Sequence, residues 1–121
     1  MGFDELLKAL KIDEEYTLAR FSGMKNILER FLLRFLDDNS MGLLKYDFET
    51  NDQESAERDA HTLKGLAANL GLDELSRRAA ECVDTIRAGN YAAARQQYPH
   101  ILEEYERVVQ ILKKYADSLQ K

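Results

Sequence analysis

Residues 54–71 read ESAERDAHTLKGLAANLG, and the spacing of their apolar positions decides the fold. Ala56, Ala60, Leu63, Ala67 and Leu70 recur at alternating intervals of four and three, which is one continuous stripe along a helix. At about 100° per residue, His61 lies roughly 200° from Leu63, on the opposite side. The stripe anchors the helix and leaves the histidine facing solvent. The helical neighbours of His61 are Glu57 and Arg58 one turn before, and Lys64 and Gly65 one turn after. Gly65 needs a reason, because a mid-helix glycine costs about 1 kcal/mol relative to alanine. Its phase is away from the stripe, which disfavours close helix packing as that reason. Clearance is the better one. With no side chain at this position a partner surface or a phosphoryl group can approach the imidazole, and Lys64 offers a positive charge there.

The whole chain suits such a helix. Its 121 residues are enough for one core and too few for two, so a single domain over 1–121 is expected. A 45% apolar and 32% charged composition is that of a folded globular chain, and Leu, Ala, Glu, Lys and Arg dominate with one proline, which favours an all-α fold. A net charge of −5 without a basic block argues against nucleic acid as a partner. The single cysteine, Cys82, excludes an internal disulfide and fits a reducing compartment. No apolar run reaches the ~18 residues of a membrane span and no signal peptide is visible, so no membrane insertion and a cytoplasmic location are expected.

Working outward, Phe3, Leu6, Leu7 and Leu10 predict a short amphipathic helix, and Asp13 caps a second through about Phe21. Ser22-Gly23 is a break. Met24, Ile27, Leu28, Phe31, Leu32, Phe35 and Leu36 give a central helix from about Met24 to Asp37. Residues 38–50, with Asn39-Ser40 as a turn and Gly42 as a breaker, predict a connecting loop with one helical turn at most. The histidine helix starts near Thr50, Asn51 or Asp52 and ends at Gly71, a left-handed position, with Leu72 packing back. Asp73 opens a helix that carries Leu75, Ala79, Cys82, Val83 and Ile86 inward to Gly89-Asn90. The last helix runs from about Tyr91 to Ser118, and Pro99 predicts a kink or local break within it. The expected architecture is an up-down-up-down antiparallel four-helix bundle with short N-terminal helices covering one end.

His61-Thr62-Leu63-Lys64-Gly65, continued through small residues to Leu70-Gly71, resembles the active-site helix of histidine-containing phosphotransfer (HPt) domains of multistep two-component phosphorelays. The resemblance runs from about Ile12 to about Tyr115. Leu66 departs from it mildly, because a smaller residue is common there. The resemblance implies a phosphorelay intermediate that takes a phosphoryl group on His61 from a receiver-domain aspartate and passes it to another. It implies that Lys64 stabilises the phosphoryl oxygens, with Arg58 as an added contributor. Arg58, Thr62, Gly65, Ala68 and Asn69 lie on the expected receiver docking face, with Arg77 a further rim contact by helical phase. Expected partners are response-regulator receiver domains, a hybrid sensor histidine kinase, or both. The chain is expected to be a monomeric phosphoryl carrier and not an enzyme on its own. It needs no cofactor itself, since the resemblance puts the Mg²⁺ on the receiver.

The chemistry fits the residue types. A free imidazole titrates at about pH 6.5, so it is largely neutral at pH 7 and can act as a nucleophile. Phosphoryl transfer depends mainly on alignment and charge stabilisation. Taken singly, an exposed histidine or lysine is ordinary surface; the whole motif with its Leu-Gly ending turns the reading toward chemistry. Asn69 fits a structural bond to a neighbouring loop equally well. His100 has no motif and reads as surface. Glu57 and His61 share a face, but a di-iron bundle needs inward Glu-x-x-His pairs from two helices, and two histidines with one cysteine do not make a zinc site. No metal ligands are assigned. A second functional class remains, a helical docking module for a signalling partner that is never phosphorylated.

Overall fold

The stripe is fully buried: Ala56, Ala60, Leu63 and Ala67 are at 0% exposure and Leu70 at 1%. They sit in a computed structural model that describes residues 1–120. Lys121, the last residue of the expected domain, lies outside the described residues. The elements are α1 (Phe3–Ala9), α2 (Glu14–Ala19), α3 (Lys25–Arg34) with a 3₁₀ turn at Phe35–Asp37, α4 (Ser40–Glu49), α5 (Gln53–Asn69), α6 (Asp73–Arg87) and α7 (Tyr91–Ser118). All regular structure among the described residues is helical.

Helices α5 and α6 are joined by a short turn and pack in opposite directions. Ser76 Oγ donates to the Lys64 carbonyl at 2.9 Å, while Arg87, near the far end of α6, meets Glu57 near the start of α5 at 3.4 Å. The α6–α7 pair does the same, through Arg78 Nη1 to the His100 carbonyl at 2.7 Å and Gln97 Nε2 to Thr85 Oγ1 at 2.9 Å. Phe35 and Tyr105 rings, 5.8 Å apart, fix the end of α3 on α7. Leu28, Leu32, Leu44, Leu63, Leu75, Val83, Ile101, Val108 and Leu112 belong to one buried cluster between these helices. Cys82 is buried in it, and burial pushes its thiol up to about 11.

The stretch 38–50 corrects the sequence reading. It is a ten-residue helix, α4, and not a loop. Its inward positions are Ser40, Met41, Leu44, Asp47 and Phe48, a regular helical period. Two of those five are polar, while the apolar Leu43 and Tyr46 face out, so the apolar pattern hides the helix. Gly42 is exposed and nothing lies within 4 Å of its missing Cβ, so it interrupts nothing. In the absence of a side-chain bond from Asn39, Asp38 Oδ2 caps the helix by accepting from the Ser40 amide at 2.9 Å. Helix α7 continues through Pro99 for 28 residues, so the local break is absent.

The N-terminal helices lie against the α5–α6 turn. Leu6, Leu7, Leu10, Ile12 and Thr17 are buried. Gly71 has φ +78°, and a Cβ there would collide with Thr17 Oγ1 and stand 3.0 Å from Ile12 Cγ2. Arg107 Nη1 reaches the Ala9 carbonyl at 3.0 Å, tying the end of α1 to α7.

Candidate functional site

Both ends of α5 are fixed. At its start Asp52 accepts from the Ser55 amide at 3.0 Å and from its hydroxyl at 2.8 Å, which hold the Asp52 carboxyl below its ordinary pKa. At its end the Leu72 amide donates to the Ala67 carbonyl at 2.9 Å and the Gly71 amide to Ala68 at 3.1 Å, the paired bonds of a left-handed glycine cap. Arg20, at the end of α2, adds a cation where the helix dipole is negative. Its Nη2 donates to the Ala68 carbonyl at 2.8 Å and its Nε to Asn69 at 3.2 Å, while the guanidinium stacks 4.9 Å from the Tyr16 ring centre.

Between these anchors the outer face of α5 is open. Arg58, His61, Thr62, Gly65, Ala68 and Asn69 are all exposed. Lys64 is half-buried on the α6 side and forms no ion pair among the described residues. No atom lies within 4 Å of the Cβ that Gly65 lacks, so close packing does not account for that glycine. The Thr62 hydroxyl is engaged with the Arg58 carbonyl at 3.0 Å. Asn69 bonds the neighbouring segment through its backbone carbonyl, and its side chain makes no hydrogen bond among the described residues. Arg77 is paired with Glu74 and Glu81 on its own helix.

Two features of this neighbourhood escaped the sequence reading. The first is a buried carboxylate pair. Asp47 of α4 and Asp59 of α5 are 4% and 5% exposed. Burial, with Asp59 facing it, pushes the Asp47 carboxyl up to about 7, against the pull of Arg58. Asp47 Oδ2 has no hydrogen-bond partner among the described residues. Arg58 holds Asp59, Nε to Oδ1 at 3.3 Å and Nη2 to Oδ2 at 3.4 Å. The polar interruptions at inward positions 47 and 59 were the available signal. The second is apolar surface near the end of α5. Tyr16, Met24 and Phe31 are exposed, with Phe31 stacked 5.6 Å from Phe21. Leu66 is half-buried and lines an open groove of ≈ 410 Å³ with Phe31, Arg34 and Phe35.

Chemically, the outer face of α5 offers a solvent-facing imidazole, two nearby cations and open space for an approaching group. Among the described residues no group of three His, Cys, Asp or Glu side chains could hold a metal ion, and no helix is long and apolar enough to cross a membrane. The family model described as Hpt domain matches residues 22–111. No curated protein and no solved structure matches the chain.

Proposed function

Because this chain belongs to the Hpt domain family, whose members are phosphoryl carriers exchanging with receiver domains and kinases of two-component systems, we propose that it relays a phosphoryl group through His61. The observation that carries the assignment is the outer face of α5. His61 is exposed on a helix whose opposite face is wholly buried, with Lys64 in no ion pair among the described residues one turn on and open space over Gly65. In this reading an imidazole nitrogen attacks the phosphorus of a receiver aspartyl phosphate. The P–N bond forms as the P–O bond to the carboxylate breaks, and the carboxylate leaves with the electron pair. Lys64 neutralises charge on the phosphoryl oxygens. Arg58, Thr62, Ala68 and Asn69 meet the receiver, and its Mg²⁺ stays with the receiver. Transfer to a second receiver is the same step reversed. The fixed helix ends serve alignment, on which such transfers depend.

The test is transfer of label from a radiolabelled phospho-receiver with Mg²⁺. Acid-labile, base-stable label on the wild-type chain and none on His61→Gln is the expected result. Receiver binding without label, across a panel of receivers, would replace this reading with the unphosphorylated docking module. Label persisting in His61→Gln would move the chemistry to another residue.

A further inference from the structure

The pair Asp47–Asp59 has no role in the reaction as described, yet it touches the site through Arg58. Two helices place carboxylates face to face with almost no solvent access. One buried oxygen, Asp47 Oδ2, has no donor among the described residues. Among the described residues, the neighbouring side chains other than Asp59 are engaged elsewhere. On α5, Asp52 is an acceptor occupied by its cap to Ser55, and Arg58 is spent on Asp59. On α7, the Tyr91 hydroxyl donates to the Asp47 backbone carbonyl at 3.1 Å, and Arg95 is bound to Asn51 and stacked on Tyr91. On α4 itself, Lys45 pairs with Glu49 at 4.0 Å. Like charges so placed cannot both ionise cheaply, and one proton between them satisfies both.

Arg58 is held loosely by comparison with its counterparts. Its contacts to Asp59 are 3.3 and 3.4 Å, against 2.7 and 2.8 Å for Arg107 on Glu104, and its side chain is 66% exposed. Arg58 precedes His61 by one turn, as Lys64 follows it. Among the described residues one cation beside the imidazole is therefore free and the other is tethered.

We propose that Asp47 and Asp59 share one proton and act as positioning residues for Arg58, keeping its guanidinium off His61 in the free protein and releasing it to the phosphoryl group once that group arrives. The proposal rests on His61 as the phosphoacceptor. A phosphoryl group brings close to two negative charges and competes for the guanidinium. When Arg58 leaves, the pair loses its cation and holds the shared proton more tightly, so molecules that lack it at that pH take it up from solvent. By linkage, a proton on the pair weakens its grip on Arg58 and favours the phosphorylated form. The phosphoryl group passes from oxygen to nitrogen as before; the only added event is proton uptake by a carboxylate.

Two measurements test this. Carboxyl ¹³C NMR of the free wild-type protein is expected to show Asp47 titrating near pH 7; titration of Asp47 below pH 5 would overturn the shared proton. Phosphotransfer equilibria at pH 6.5, 7.5 and 8.5 then compare wild type, Asp47→Asn, Arg58→Ala and Arg58→Lys. The phosphorylated fraction of wild type, divided by that of Asp47→Asn, is expected to rise about threefold from pH 8.5 to 6.5. Arg58→Ala is expected to abolish that rise and lower the phosphorylated fraction, with partial rescue by Arg58→Lys. A flat ratio with transfer intact would overturn the positioning role. Absence of label on wild type at every pH would instead refute His61 as acceptor, and the NMR titration would still decide the shared proton.

Discussion

Replacing Asp47 by Asn should stabilise the protein above neutral pH. The carboxyl is ordinary at 3.8 when exposed and is pushed to about 7 in the fold, chiefly by burial and then by Asp59. An acid raised by folding supports the fold while protonated. Its contribution is full below 3.8 and is lost as the pH climbs through about 7. A shift of about three units at 1.36 kcal/mol each gives a ceiling of about 4 kcal/mol. Local relaxation and water entry around a buried charge reduce this, so about 2 kcal/mol is the expected gain for Asp47→Asn at pH 8. Asn keeps the shape and can donate to Asp59, supplying what the proton supplied. The assay is urea unfolding followed by helical circular dichroism at pH 5, 6.5 and 8. Glu74, held down to about 2 by Arg77 and Arg78, stays ionised in the fold throughout this window and behaves alike in both proteins, so it cancels from the comparison. Wild type is expected to lose stability relative to Asp47→Asn as the pH rises. Parallel profiles, or a variant weaker than wild type at pH 8, would refute the reasoning.

The glycines of the motif should separate fold from function. Gly71→Ala is expected to cost about 2 kcal/mol or more, because φ is +78° and the new Cβ collides with Thr17 Oγ1; denaturation showing a loss under about 0.5 kcal/mol would contradict the packing. Gly65→Ala is expected to stabilise the protein by about 1 kcal/mol, since α5 gains helix propensity and no atom lies within 4 Å. Gly65→Leu should also keep the fold yet slow phosphotransfer by about tenfold, through loss of approach to His61. Undiminished transfer in Gly65→Leu would remove clearance as the reason for that glycine.

The sequence by itself determined the elements whose inward faces are apolar. The stripe from Ala56 to Leu70 placed α5, its buried side and the outward phase of His61, because burial and periodicity are properties of one helix. The caps at Asp13 and Gly71 were legible for the same local reason, whereas Asp52 was one of three candidates with Thr50 and Asn51 at the start of α5. Helix α4 was not, because Ser40 and Asp47 occupy two of its inward positions and their burial is decided by α5 and α7 packing against them. Arg20 was equally silent. It reaches carbonyls 48 and 49 residues away, and only the folding of α2 onto the end of α5 brings it there. The tethering of Arg58 by a carboxylate pair is likewise tertiary. Asp59 was not singled out, because its surroundings are set by α4, which brings Asp47 against it and excludes water from both. Periodicity tells which way a side chain faces; what it meets there, and in which state of protonation, is settled by chain that lies far away in sequence.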